Sequence, residues 1–151
     1  MSVAARLADL GLAVPAVAAP VADYVPAVRT GQHVFTAGQL PLADGELLFV
    51  GKVGGEVSVE EAQECARRCA LNAIAAVGSV ADLDAVTRVV KATVFVASTP
   101  DFSGQPVVAN GASELLGAAF GEAGRHARSA VGVPVLPLDA PVEVEIVVEL
   151  A

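Results

Sequence analysis

Apolar positions recur along this chain with two different periods, and the switches between them mark out the elements. Ala62, Ala66, Cys69, Ala73 and Val77 return every three or four residues, while Glu60, Glu64, Arg67 and Arg68 fall off that stripe. Such spacing predicts an amphipathic helix over 59–77 with one buried face. Ser58-Val59-Glu60-Glu61 in front of it reads as a capping box, in which the serine hydroxyl satisfies an otherwise unpaired amide of the first turn. The buried stripe is made of small side chains, which lets the helix lie close to a sheet. Asn72, late in this helix, is either a surface amide or a buried one that ties the helix to a loop.

The second period is two. Val142, Val144, Ile146, Val148 and Leu150 point one way, and Glu143, Glu145, Val147 and Glu149 the other, so 142–150 is a strand with one acidic face. The stretch 83–97 is rich in β-branched residues and predicts one long central strand, broken at Thr99-Pro100-Asp101. Residues 25–39 read as a hairpin turning at Thr30-Gly31-Gln32. Pro41 and an Asp44-Gly45 turn precede a third short strand over 47–50, and 129–135 forms the penultimate strand. A second helix is expected over 106–120, stopped by Gly121 and weakened by Gly111 and Gly117, each at about 1 kcal/mol relative to alanine. At the start, a short helix over 2–10 ends at Gly11 and a proline-punctuated connector follows. Residues 1–20 are accordingly an N-terminal extension and 21–151 a single domain. The order β-β-β-α-β-α-β-β predicts an α+β fold, one mixed sheet with two main helices on one face.

That arrangement leaves the other sheet face bare, and composition says how it is covered. A chain of 151 residues is one domain with a sizeable core. It is 54% hydrophobic but only 4% aromatic, with no apolar run long enough to span a membrane. The mean hydropathy is +0.62. Surplus apolar surface of this kind predicts an oligomer. The net charge of −8 argues against nucleic acid as the main partner, although Arg125, His126 and Arg128 cluster locally.

Candidate chemistry is sparse. Cys65 and Cys69 are four apart on the predicted helix, a poor geometry for a disulfide, and no histidine accompanies them. They read as small buried hydrophobes in a reducing cytoplasm. Lys52-Val53-Gly54-Gly55 lacks phosphate-loop spacing, and no serine sits in a Gly-x-Ser-x-Gly elbow. No cluster of His and carboxylates has metal-ligand spacing. The N-terminal run resembles a secretion signal, but Asp9 and Pro15 interrupt it. His33 lies in a strand, where it has no evident chemical role.

Arg128 stands apart, because an arginine at the mouth of an apolar strand needs an anion, and its planar fork suits a carboxylate. The partner is either a glutamate of the last strand, as an internal ion pair, or a substrate carboxylate. If the last two strands pair as a hairpin, Glu143 lies near Arg128 and can serve a water.

The residues Phe35-Thr36-Ala37-Gly38-Gln39-Leu40-Pro41, the helix with Asn72, Val90-Lys91-Ala92-Thr93-Val94-Phe95-Val96, Asp101-Phe102, Ala127-Arg128-Ser129-Ala130-Val131-Gly132-Val133, Leu136-Pro137 and Val142-Glu143-Val144-Glu145 together resemble the Rid (YjgF, reactive intermediate deaminase) family. The resemblance runs from about Val21 onward. It implies a chorismate-mutase-like fold, a homotrimer with ligand clefts between subunits, and cofactor-independent hydrolysis of enamines and imines such as 2-aminoacrylate to 2-keto acids and ammonia. Older labels in that family are translation inhibitor and endoribonuclease. By the same resemblance Arg128 holds the substrate carboxylate and Glu143 positions water. Tyr24 lines the cleft from the adjoining subunit, and Asn110 corresponds to a cleft asparagine, so both belong to a neighbour of Arg128. Gly38 and Ala130 lie beside the ligand. Ala37 and Ala130 depart from the family's common Ser and Cys, which places the substrate in question more than the pocket. A non-catalytic binder of small carboxylates on the same scaffold is the alternative, and an RNA-cleaving enzyme is disfavoured by the acidic balance.

Overall fold

A computed structural model describes residues 1–20 and 22–151, so the domain boundary expected at Val21 lies outside the described residues. In chain order the elements are α1 (Val3–Ala8), β1 (Ala27–Thr30), β2 (His33–Thr36), β3 (Leu42–Ala43), β4 (Glu46–Leu47), α2 (Val59–Gly78), β5 (Val86–Ala97), α3 (Gln105–Phe120), β6 (Ala127–Val133) and β7 (Val142–Leu150). Single 3-10 turns occupy Leu83–Ala85, Gly121–Gly124 and Pro137–Asp139.

The main sheet has five strands in the order β1-β2-β7-β5-β6. β5 and β6 run parallel, and the other neighbours are antiparallel, so the sheet is mixed as expected. The alternation in β7 sets its two faces. Val142, Val144, Ile146, Val148 and Leu150 are buried in one cluster with the apolar faces of α2 and α3. The opposite face carries Glu143 and Glu145, with Val28 on β1, Phe35 on β2 and Val131 on β6 exposed.

The penultimate strand is Ala127–Val133 rather than 129–135, and three further expectations change. The run 47–50 is not a strand: only Leu42–Ala43 and Glu46–Leu47 pair, across a turn with Asp44 and Gly45 at φ 52° and 82°. The Leu48 amide then turns back to the Pro41 carbonyl at 3.1 Å, which ends the ladder. The central strand begins at Val86 rather than at 83, because the Asp82 carboxylate accepts from the Asp84 amide at 3.0 Å and caps a 3-10 turn. Finally, β6 and β7 are not a hairpin, since β5 lies between them. A strand, a helix and a strand joined in succession make a parallel crossover, and α3 is long enough to impose one here.

Ser58 caps α2 as its motif predicts, its hydroxyl accepting from the Glu61 amide at 3.1 Å. The whole Ala62 to Val77 stripe is buried. Cys65 and Cys69 are buried, free thiols; burial pushes Cys65 up to about 12 and Cys69 well above its usual value. Neither can act as a thiolate nucleophile near neutral pH. Asn72 is the buried amide of the two readings, donating to the carbonyls of Leu40 and Leu42 at 3.0 Å each. α2 and α3 touch at backbone distance: a Cβ on Gly111 would stand 2.2 Å from the Gln63 carbonyl oxygen. At the N-terminus, the Ser2 hydroxyl caps α1, and Val3 and Leu7 are buried in the same core as the sheet.

Candidate ligand-binding site

The predicted site residues fall into two groups. The first surrounds Arg128. In the ladder Arg128 partners Ala92, which partners Ile146, and both of these are buried on the helix face. Arg128 therefore leaves the edge strand β6 on the side of the helices and meets α3. Its Nη1 donates to Asn110 Oδ1 at 2.9 Å and to Ser113 Oγ at 3.2 Å. Its Nη2 donates to the Pro106 carbonyl at 3.3 Å. Among the described residues, no carboxylate lies within ion-pair distance of Arg128. The internal ion pair with a glutamate of the last strand is thus absent, and the cation is held by neutral oxygens alone. Arg125 instead points to solvent against Glu122 at 3.7 Å, so the three basic residues of this stretch do not form one patch.

The second group surrounds Glu143. Glu143 partners Phe95, and Phe95 partners Val131, so it sits three rows from Arg128 and two strand spacings across. Those offsets separate the two by roughly 14 Å along the sheet, and they leave it on opposite faces. Here a cavity of about 190 Å³ is lined by Ala18, Ala19, Pro20, Tyr24, Pro26, Gly38, Gln39, Leu40, Leu42, Pro137 and Glu143. Its walls are mostly apolar, and Glu143 is its charged group. Burial, and then the neighbouring Glu145 carboxylate, raise the Glu143 carboxyl above its ordinary value.

Several local devices shape this cavity. Gly38 admits the glutamate: a Cβ there would lie 2.6 Å from Glu143 Oε2. Gln39 exchanges two backbone hydrogen bonds with Val144, at 2.8 and 3.0 Å, which presses the 37–40 segment onto β7. The Thr36 hydroxyl accepts from the Ile146 amide at 3.0 Å where that ladder begins to part. Asn72, with Arg68 Nε donating to the Leu42 carbonyl at 2.7 Å, fixes the Leu40 to Leu42 wall. Lys52 pairs with Asp139 beside Pro137, where Leu138 and Asp139 adopt φ 60° and 57°.

Asn110 is therefore on the same chain as Arg128 and bonded to it, while Tyr24 and Gly38 share the Glu143 cavity. The sequence had grouped Tyr24 with Asn110, and had brought Glu143 to Arg128 through a hairpin that does not form. Ala130 lies half-buried against the core, in register with Val94 and two residues from Arg128. The Ala37 amide donates to the Pro26 carbonyl at 2.8 Å. Sequence reading missed Ser113, and it left His126 without a role. The His126 Nε2 lies 2.9 Å from Ser113 Oγ, and its Nδ1 lies 2.6 Å from the Gly124 carbonyl oxygen. The signal was present: Pro106, Asn110 and Ser113 stand at helical spacing of four and three, on one face of α3. Among the described residues, no cluster of His, Cys, Asp and Glu is arranged to hold a metal ion, and no helix is long and apolar enough to cross a membrane.

Residues 4–150 match a family described as "YjgF/chorismate_mutase-like, putative endoribonuclease". The chain is 49% identical over 150 residues to Protein TCP17 of Trypanosoma cruzi, across 98% of this chain and 94% of that one. Its fold superposes on the crystal structure of Atu1372 from Agrobacterium tumefaciens with a TM-score of 0.92 and 42% identity, covering 99% and 92% of the two chains. It also superposes on E. coli TdcF with bound serine, with a TM-score of 0.62 and 26% identity, covering 91% and 94%.

Proposed function

The chain belongs to the YjgF/chorismate-mutase-like family, and from that premise we propose that it is a cofactor-independent deaminase of imines and enamines derived from amino acids. The carrying observation is Arg128, a fixed guanidinium with no carboxylate partner among the described residues. Its bonds to α3 consume both Nη1 hydrogens and one on Nη2. The Nε–H and one Nη2–H remain, on adjacent nitrogens, which is the donor pair a carboxylate takes bidentately. TdcF with bound serine supports a small carboxylate as the ligand class of such a site.

Because Arg128 and Glu143 leave opposite faces of one sheet, a second copy completes the site. The assembly is a homotrimer: the bare sheet face with Phe35 and Val131, next to the β6 edge, packs on a neighbour. Arg128 of one subunit then faces the Glu143 cavity of the next. Arg128 holds the carboxylate of the 2-imino acid, and Glu143 accepts a proton from a water as its oxygen adds to the imine carbon. The imine nitrogen takes up a proton, and the resulting carbinolamine collapses to the 2-keto acid and ammonia. Positioned acid–base help of this kind is worth about 10²–10⁴-fold.

One further reading has an observation behind it. Ala37 and Ala130 offer no side-chain polar group to a ligand, which suits a binder of small carboxylates without turnover. Decay of 2-aminoacrylate, generated by a serine dehydratase, separates the two. Accelerated decay that Arg128→Ala abolishes supports the deaminase. Saturable 2-keto acid binding without acceleration supports the binder. Cleavage of RNA that survives Arg128→Ala overturns both.

A further inference from the structure

We propose that Ser113 and His126 are positioning residues for Arg128, joined to it in one directed chain of hydrogen bonds anchored at the Gly124 carbonyl. The proposal rests on Arg128 being the carboxylate holder.

The direction of the chain follows from counting donors. The Gly124 carbonyl only accepts, so the nitrogen 2.6 Å from it, Nδ1 of His126, carries a hydrogen. In the neutral ring Nε2 is then bare and accepts from the Ser113 hydroxyl at 2.9 Å. With its only hydrogen committed to His126, Ser113 Oγ presents a lone pair to Arg128 Nη1 at 3.2 Å. The hydroxyl therefore has one orientation, and that orientation favours the arginine. Without the histidine acceptor the hydroxyl is free to turn.

The far end of the chain is rigid. Gly124 lies so close to α3 that a Cβ on it would stand 2.2 Å from the Leu116 carbonyl oxygen. The Gly124 carbonyl is thus referenced to the second half of α3, and Asn110 and Pro106 to the first. Arg128 is triangulated against a single helix, although it stands on an edge strand. Neither side chain is needed to build the fold: Ser113 lowers the helix propensity of α3, and His126 lies just before β6, outside both elements.

The test is calorimetric titration of the purified protein with 2-oxobutanoate and with 2-oxobutanamide, which lacks the carboxylate. Wild type binds the acid more tightly, and Arg128→Ala loses that preference. Ser113→Ala and His126→Phe each weaken acid binding about three- to tenfold, the worth of one hydrogen bond, and leave amide binding unchanged. Ser113→Thr, which keeps the hydroxyl, restores the wild-type value. Ser113→Ala removes a single oxygen and carries the test if His126→Phe does not fold. Acid binding that Arg128→Ala abolishes but Ser113→Ala leaves intact overturns the relay alone. Equal binding by wild type and Arg128→Ala overturns the carboxylate role of Arg128, and the relay with it.

Discussion

A Cβ atom on Gly38 would stand 2.6 Å from Oε2 of Glu143, inside the contact distance of any carbon and oxygen. Gly38 has no positive φ, so its backbone suits any residue; the space is what it provides. Gly38→Ala is therefore expected to fold normally while pushing the Glu143 carboxylate aside. The expected result is a drop in kcat of about tenfold or more, a fraction of the full acid–base contribution, with KM little changed. Steady-state clearance of 2-aminoacrylate checks it, and an unchanged kcat would separate Glu143 from the chemistry.

Arg128→Lys keeps the charge and loses the fork. A lysine ammonium cannot span Asn110, Ser113 and the Pro106 carbonyl while also presenting two parallel donors. KM for the imino acid should rise about 10–100-fold, the worth of one to two charge-assisted hydrogen bonds. Initial rates over a substrate series give the answer.

Glu143 links activity and stability to pH with opposite preferences. Its folded-state pKa is raised above the unfolded value, first by burial and then by Glu145. The folded state thus binds more protons in the window just above the ordinary glutamate range, and stability is lost as pH rises through the raised value. Glu143→Gln should melt higher than wild type at neutral pH, and the gap should close as pH falls below the ordinary glutamate value of about 4.3, where the Glu143 carboxyl is protonated in both the folded and the unfolded chain. Catalysis needs the ionised form, so the wild-type rate should fall on the acid side at a pH above that range. Melting curves and rate profiles at matched pH values test the two halves.

Asn72→Ala should remove both hydrogen bonds that tie α2 to the Leu40 to Leu42 wall, leaving the Leu40 carbonyl to the Leu42 amide and the Leu42 carbonyl to Arg68 Nε. Each hydrogen bond lost is worth about 0.5–1.5 kcal/mol, so the variant should unfold at lower denaturant. The Leu40 to Leu42 wall of the Glu143 cavity also loosens, and KM should rise alongside. Chemical denaturation followed by kinetics on the surviving fold distinguishes a stability loss from a change in the wall.

Much of the core was legible because single faces announce themselves. The valines of β7 and the small-residue stripe of α2 each specify what they bury, and Ser58 marks where α2 starts. Pairing between strands was less legible. Adjacent strands in sequence suggest a hairpin, and nothing within 127–150 reveals that β5 enters between them; the evidence lies in α3, which imposes a parallel crossover. The candidate site inherited that error. Arg128 was recognisable by its chemistry, and Asn110 and Ser113 share one helical face, but that the two meet becomes apparent only once β6 is known to lie beside α3. The role of His126 depends on a backbone carbonyl two residues away, which no residue type encodes.

The contact of Gly111 with the Gln63 backbone makes a position remote from Arg128 control how Arg128 is held. α3 holds every oxygen that grips Arg128, and its height above α2 is set at that seam with no room for one methyl group. Any side chain there would shift Asn110 and Ser113 together and detune the grip on a ligand about which the seam carries no information. Positions 37 and 130, by contrast, take no part in that seam: Ala37 bonds through its amide to the Pro26 carbonyl, and Ala130 is only half-buried on β6. A substitution at Gly111 is thus felt at Arg128 without touching it, whereas one at Ala37 or Ala130 leaves the height of α3 unchanged.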